Sequence, residues 1–326
     1  MTPEQAPTLD DLDRRIVAAL QVDGRAPWSR IADVLGESER TVMRRGAELI
    51  ARNVVRISAL FGPNAAVLVR AECAIGAVRT TATALAQRSD SVFAYALTGT
   101  IECVAEIRVS TADLPALVLD ELPATVGLVR AQADPILRVL RSVRQWRPPI
   151  LNPAQIAALE TPPHGVQQPN TDDPPLLSPT DRAIVRVLAE DGRASLTTIA
   201  LRAGISESTA RRRLEWLQNN GHLWSRAVVE PRYLGYPVEA ILWIRVLPGR
   251  LESFTARLVA DPHVREAIAI AGEFDLAVNV AVPDQASLYG LVAGSWRSQV
   301  QSVQVSVVLQ AMKRSGVRVP LGARDL

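Results

Sequence analysis

Arg211, Arg212 and Arg213 stand in a row behind Ser206, Ser208 and Thr209 in the run GISESTARRRLEWLQNNGHL. Guanidinium groups make paired hydrogen bonds to phosphate or to the outer edge of guanine, and hydroxyls bond phosphate oxygens, so this mixture suits a nucleic acid. A second run, ESERTVMRR, sets Arg40, Thr41, Arg44 and Arg45 at similar spacing. The basicity is local. Among 36 lysines and arginines Lys313 is the only lysine, and the net charge is just +2. That balance excludes a polycation acting through bulk charge, so a recognition surface has to be built by particular elements.

Helical phase identifies those elements. At about 100° per residue, Ala210, Leu214 and Leu217 fall on one side of the second run, Ser208 and Arg212 lie opposite, and Arg211 and Arg213 take the flanks. In the first run Val42, Gly46 and Leu49 hold the inner positions and Arg40 and Arg44 the outer ones. Such a helix, with arginines and hydroxyls near an outward amide end, fits the major groove of DNA. A solvated face carries similar residues. What favours DNA is that the whole pattern occurs twice with its arginines in phase.

The repetition is extensive. DRRIVAALQVDGRAPWSRIADVLGESERTVMRR, from Asp13, aligns without gaps on DRAIVRVLAEDGRASLTTIALRAGISESTARRR, from Asp181, with about half the positions identical. Each copy reads as three short helices, near 9–22, 29–35 and 39–52 in the first. In the second, Ser178 caps the first helix, the next covers 196–203, and Ser206 caps a third that stops at Asn219, Asn220 and Gly221. Helix, glycine turn, helix is the helix-turn-helix pattern. Between the copies, WRPPILNPAQIAALETPPHGVQQPNTDDPPLLSP has the proline density of a linker, with one short helix at 154–159.

Behind each trihelical segment the hydrophobic period changes to two. From Val238 the order reads strand, helix, strand, the turn AGEFD, strand, helix, strand, and the first half echoes it from AAVLVRAEC onward. This is βαββαβ, a ferredoxin-like plan. Pro135 in the last strand of the first half predicts an edge position. Ile241, Trp243 and Val308 point away from the face carrying Leu242, Ile244, Val303, Val305 and Val307, and this second apolar face predicts an interface. The fold class is therefore α+β, two copies of a three-helix helix-turn-helix domain followed by a ferredoxin-like domain. The expected boundaries are 9–58, 62–147, a linker at 148–177, 178–228 and 236–318.

Other chemistries find little support. The three histidines, His164, His222 and His263, are far apart in sequence, and Cys73 and Cys103 make neither a disulfide framework nor a zinc pattern. No catalytic residue, metal ligand or cofactor is expected. No apolar run reaches the roughly 18 residues of a membrane span, and the N-terminus lacks a signal peptide, so the expected location is the cytoplasm.

These residues resemble the Lrp/AsnC, or feast/famine, transcriptional regulators. The resemblance rests on D-x-x-I-V-x-x-L-x-x-D-G-R-A in both copies, on Ile205, Ser206, Ser208, Thr209, Arg213, Leu217 and Gly221, and on the βαββαβ order after Tyr233-Leu234-Gly235. It covers nearly the whole chain, twice. The resemblance implies double-stranded DNA as one partner and a small-molecule effector, such as an amino acid, near the turn between the second and third strands. There Gly272 admits close approach to the backbone, and Glu273 or Asp275 can hold an ammonium group. The matching turn of the first half, with Gly99 and Glu102, departs from the family's Gly-x-Phe/Tyr-Asp, so weaker binding is expected there. Family members usually carry one copy per chain. This chain is thus expected to pair its own sheets as an intrachain pseudo-dimer or to form a homo-oligomer, with no membrane partner. Two other readings are a tetrapyrrole decarboxylase of the same fold and a metabolite-binding module that does not touch DNA.

Overall fold

The computed structural model describes residues 9–60, 65–160, 177–220 and 223–319. Two compact units interleave along the chain: Met1–Gly62 with Arg147–Gly235, and Pro63–Trp146 with Tyr236–Leu326. Like joins like. The trihelical copies share the first unit and the strand-rich copies share the second.

The first unit contains α1 (Asp11–Val22), α2 (Trp28–Leu35), α3 (Glu39–Ala51) and β1 (Val55–Leu60) from the first copy. The strand-rich first half follows with β2 (Ala66–Cys73), α4 (Val78–Gln87), β3 (Ser91–Leu97), β4 (Cys103–Arg108), α5 (Leu114–Ala116, continued by a wider helical turn to Glu121) and β5 (Leu128–Arg141). The chain then returns to the first unit with α6 (Pro153–Leu159), α7 (Pro179–Glu190), α8 (Leu196–Ala203), α9 (Glu207–Asn219) and β6 (Trp224–Val229). Last come β7 (Val238–Val246), α10 (Leu251–Leu258), β8 (Val264–Ile270), β9 (Leu276–Val282), α11 (Gln285–Val292), β10 (Val300–Arg314) and the short β11 (Val317–Arg318).

Local chemistry sets the helix ends. Ser38, Ser178, Ser195 and Ser206 each accept a backbone N–H in the first turn of α3, α7, α8 and α9, and α2 and α8 end at left-handed Gly36 and Gly204. In the second copy Ile184, Leu188, Ile199, Ala210, Leu214 and Leu217 close one core. The first copy fills the same space differently. Gly46 aligns on Leu214 and Trp28 on Leu196, and a Cβ on Gly46 would lie 2.4 Å from the Trp28 ring. The bulk has moved from α3 to α2.

Strand pairing welds the two copies together. β1 runs antiparallel to β6 with Val55 opposite Val229 and Ile57 opposite Ala227, and Ala59 enters the core of the second copy. Two matching arginines reinforce the weld. Arg25 donates to the carbonyls of Gly192 and Ala194, while Arg193 donates to those of Gly24 and Ala26 at 2.8 and 2.9 Å. Arg193 also lies 4.2 Å from the centre of the Trp28 ring. The expected short helix within the Pro-rich segment is α6, which docks on the first copy: Gln155 Nε2 donates to the Val34 carbonyl and Arg30 to that of Ala158. Residues 161–176 of that segment, with His164, and the pair Gly221 and His222 lie outside the described residues.

In the second unit the expected pair of ferredoxin-like sheets gives way to one closed sheet. The strand order β10-β3-β4-β2-β5-β8-β9-β7 returns to β10, closing eight strands into a barrel to which β11 adds a short hairpin. Closure follows from two long strands that each change partner midway. β5 pairs with β2 through Pro135 and with β8 from Ile136 onward, and β10 leaves β7 after Val307 for β3 from Val308. Pro135 is therefore at a handover, not at an edge. It lacks a donor at the point where the ladder changes, and its carbonyl accepts from Ala271 N at 2.9 Å.

The apolar face predicted as an interface is satisfied inside the chain. Ile241 and Trp243 meet Leu68, Phe93, Tyr95 and Val104 in the barrel interior, while Leu242 and Ile244 pack beneath α10 on the other side. Trp243 is fully buried and donates Nε1–H to Ser306 Oγ at 3.1 Å. Toward one end of the barrel, buried Glu239 receives hydrogen bonds from Arg265, Arg314 and Asn279. Burial alone would raise the Glu239 pKa, but the two guanidinium groups outweigh it and hold the carboxyl at about 2, against an ordinary 4.5.

Two outcomes follow. Gly46→Leu should cost roughly 1–3 kcal/mol by overpacking, and adding Trp28→Leu, which restores the arrangement of the second copy, should recover most of it in urea melts. The depressed Glu239 pKa stabilises the fold above pH 4.5, and that contribution should fade as pH falls from 4.5 toward about 2. Denaturant titrations across that range should show the loss in wild type. Glu239→Gln should lack that part of the slope and should be less stable at neutral pH, having left two buried arginines without their anion.

Candidate nucleic-acid interface and effector turn

α3 and α9 present the predicted residues on one exposed face each. Arg40, Arg44, Ser208, Arg211 and Arg212 are exposed, while Val42, Gly46, Leu49, Ala210, Leu214 and Leu217 are buried beneath them. Arg44 makes one loose contact, 3.8 Å to Glu48 one turn on, and its side chain is 65% exposed. No ion pair engages Arg40, Arg211 or Arg212 among the described residues. All four guanidinium groups lie on the solvent side of their helices.

The other predicted residues have partners within the fold. Ser206 caps α9, accepting Thr209 N–H at 3.2 Å, and its hydroxyl also meets those of Ser208 and Thr209. Thr41 accepts a hydrogen bond from the Ser38 hydroxyl at 2.8 Å. Arg213 grips Asp181 through two bonds of 2.8 and 2.7 Å and stacks 4.4 Å from the Trp216 ring. Arg45 bridges Asp10 and Asp13 at the start of α1. Arg45 and Arg213, named above among the candidate DNA contacts, thus brace the first helix of each copy. Burial would raise the Asp181 pKa, yet the hydrogen bonds from Arg213 and Ser178 hold it below the usual range. The Arg45 pKa is raised by its hydrogen bonds to Asp10 and Asp13, so both braces stay charged.

What the sequence did not reveal is the clasp of Arg25 and Arg193, which fixes one trihelical copy on the other. A signal existed, since D-G-R-A is identical in both copies at positions remote from the recognition helices. Its meaning required knowing that the copies pack together.

At the turn between β8 and β9, Asp275 Oδ2 accepts the Val246 N–H at 2.7 Å, and in the first half Glu102 Oε2 accepts the Cys73 N–H at the same distance. Each acid ties a turn to the end of the first strand of its half. Glu102 is thus a structural acceptor. Beside Gly272, a Cβ would fall 2.2 Å from Asp134 Oδ1, so the close approach permitted by this glycine is made by the chain's own carboxylate. Asp134 is held by buried Arg70, 2.7 Å away, whose guanidinium also reaches Glu273 at 3.2 Å and lies 5.0 Å from the centre of the Phe274 ring. Glu273 is the acid of this group with an exposed side chain, 53% accessible. In the first half Gly99 adopts φ 95° and faces Ser306, the acceptor of Trp243, so a neutral pair stands where the second half has an ionic one.

The void in the barrel interior, among Leu68, Phe93, Trp243, Ile268 and Asn279, measures about 10 Å³. That is room for a water molecule at most. His263 Nδ1 lies 3.0 Å from Asp261 Oδ1, a local turn contact. Among the described residues no cluster of three or more His, Cys, Asp or Glu is placed to hold a metal, and no helix is long and apolar enough to cross a membrane.

Arg213→Ala should destabilise the second trihelical copy by about 3 kcal/mol or more, because it leaves a buried carboxylate unpaired. Arg45→Ala should cost about 1 kcal/mol or less, since its carboxylates are more exposed. Thermal melts of the two variants should rank them in that order. Asp275→Ala strands the Val246 N–H and should cost roughly 1–3 kcal/mol, measurable in the absence of any ligand.

The AsnC-type helix-turn-helix profile matches residues 9–50 and 177–218, and the Lrp/AsnC ligand-binding profile matches 239–317. The proline dehydrogenase transcriptional activator of Rhizobium radiobacter is 32% identical over 154 residues, spanning 45% of this chain and 96% of the activator. The HTH-type transcriptional regulator FL11 of Pyrococcus furiosus is 28% identical over 143 residues, 43% of this chain and 94% of FL11. LrpA of Mycobacterium tuberculosis is 33% identical over 118 residues, 36% of this chain and 79% of LrpA. Each regulator is thus matched over most of its length by less than half of this polypeptide. The crystal structure of the siroheme decarboxylase NirDL shares the fold across 97% of this chain and 96% of its own, with a TM-score of 0.60 and 15% identity. With two AsnC-type helix-turn-helix domains and a Lrp/AsnC ligand-binding domain in one polypeptide, the chain belongs to the Lrp/AsnC family.

Proposed function

We propose that this protein is a sequence-specific, DNA-binding transcriptional regulator that responds to a small molecule, with an amino acid as the leading class. The observation that carries the proposal is the pairing of two helix-turn-helix copies, each showing exposed arginines on the outer face of its third helix. α3 offers Arg40, Thr41 and Arg44, and α9 offers Ser208, Arg211 and Arg212, so the two helices read different bases. A homodimer reads a palindrome because its helices are identical. One chain with unequal helices reads unequal half-sites. The second unit, in which each half of the barrel derives from a ferredoxin-like unit, carries the effector turn at Gly272 and Glu273. An effector carboxylate there competes with Asp134 for Arg70, while Glu273 remains available to an ammonium group.

Selection of bound fragments from random duplex DNA tests this reading. The expected motif has two dissimilar halves, and a strict palindrome would count against it. Arg44→Ala and Arg212→Ala should each weaken binding by at least ~1 kcal/mol, most strongly for the half-site each helix contacts. Unchanged affinity in both folded variants removes the assignment. Calorimetry with the twenty amino acids, on wild type and on Glu273→Gln, tests the effector turn; a ligand bound equally by both lies elsewhere.

The whole-chain likeness to NirDL supports a second reading, an enzyme acting on a tetrapyrrole. The barrel interior is packed with apolar side chains around a void of about 10 Å³, so a tetrapyrrole would have to bind outside it. Mixing the purified protein with siroheme and recording the visible spectrum separates the two. A shifted band followed by loss of carboxyl groups favours the enzyme, and an unchanged spectrum beside selective DNA binding favours the regulator.

A further inference from the structure

The chain's two cysteines, 30 residues apart in sequence, meet in the first half of the barrel. β2 and β4 pair antiparallel with Ala71 opposite Cys103, which sets Cys73 on the same face of the sheet, diagonally across from Cys103. Their sulfur atoms are 3.5 Å apart. The two thiols differ in access. Cys103 is fully buried beneath the start of α4, with its sulfur 3.4 Å from the Val78 carbonyl. Cys73 is half-buried at the end of β2, followed by the exposed residues Ala74, Ile75 and Gly76.

We propose that Cys73 and Cys103 form a reversible dithiol–disulfide site, oxidised in the folded chain by a small peroxide that enters beside Cys73. A disulfide needs sulfurs at about 2.05 Å, and diagonal neighbours in an antiparallel pair stand ~7–8 Å apart at Cα, so closure also requires the backbone at one cysteine to shift. The backbone supplies room at one end only. β2 has a register shift between Glu72 and Cys73 in its pairing with β5, and the exposed Ala74–Gly76 turn follows, whereas Cys103 is held inside the ladder. The accessible cysteine is therefore also the movable one.

Access sets the order of steps. The Cys73 thiolate attacks one oxygen of hydrogen peroxide, the O–O bond breaks, and hydroxide leaves, to be protonated by solvent; Cys73 then carries a sulfenic acid. Cys103 Sγ attacks Cys73 Sγ, and its proton departs with the sulfenic hydroxyl as water. Two thiols and one peroxide give one disulfide and two waters, with both sulfurs oxidised and both peroxide oxygens reduced. Burial raises the Cys103 pKa far above its ordinary value, so this thiol is a poor first nucleophile, and its part depends on contact with Cys73. The site lies beside Glu102, which accepts the Cys73 N–H, so oxidation acts on the first-half turn and not on the effector turn proposed above.

The test uses the full wild-type chain. It is treated with a few equivalents of hydrogen peroxide, unfolded in an alkylating reagent, weighed by mass spectrometry and mapped by proteolysis. The expected result is loss of both alkylatable thiols and of two hydrogens, a linked pair of peptides carrying Cys73 and Cys103, and recovery of both thiols in dithiothreitol. Cys103→Ser should trap the sulfenic acid at Cys73, detectable with a dimedone probe, and Cys73→Ser should leave Cys103 unreacted while the chain is folded. Two thiols still alkylated after peroxide would overturn the proposal. So would a sulfinic acid at Cys73 beside free Cys103, or disulfides formed only between chains.

Discussion

The hydrogen-bonding demand of strand edges governs this structure. A strand that leaves its N–H and C=O groups unpaired is unstable when buried and sticky when exposed. Here each copy of a duplicated sequence meets that demand with its own twin. β1 finds β6, and the outer strands of the two four-stranded halves find each other through the split pairing of β5 and β10. Everything else inherits this arrangement: the fused trihelical unit, the filled barrel and the proximity of Arg25 to Gly192.

Covalent pairing of twins relaxes a constraint that a homodimer cannot escape. In a symmetric dimer any change at an interface appears twice and has to suit itself. Here the halves have diverged in compensating pairs. Trp28 and Gly46 stand where the second copy has Leu196 and Leu214. Around the turn between β8 and β9, ionic Arg70 and Asp134 face Gly272, while at the matching turn neutral Trp243 and Ser306 face Gly99. The same freedom allows α3 and α9 to carry different outer faces.

Arginine serves two separate ends in this chain. Where its fork meets carbonyls or carboxylates in fixed positions, as in Arg25, Arg193, Arg213 and Arg265, it binds the copies together or steadies a core. Where it projects from the outer faces of α3 and α9, as in Arg40, Arg44, Arg211 and Arg212, it stays exposed. Helical phase separates the two uses, because a residue one position nearer the core side, such as Arg45 or Arg213, falls within reach of the first helix and is captured by its acids.

The sequence by itself determined the local elements and their duplication. Capping serines, turn glycines and the periods of apolar residues are local properties, so α1 to α3, α7 to α9 and the strand–helix order were legible, as was the outward phase of Arg44 and Arg212. It also showed that Trp243 and its neighbours required cover. Only the tertiary structure decided what supplied that cover. Pro135 lies at a handover between ladders, the space above Gly272 belongs to Asp134, and Asp275 is spent on a backbone amide. Each of these depends on groups distant in sequence, and periodicity carries no information about which of several apolar faces will meet. That choice rests on the joint satisfaction of strand edges and buried charges, which exists only once the whole chain has closed.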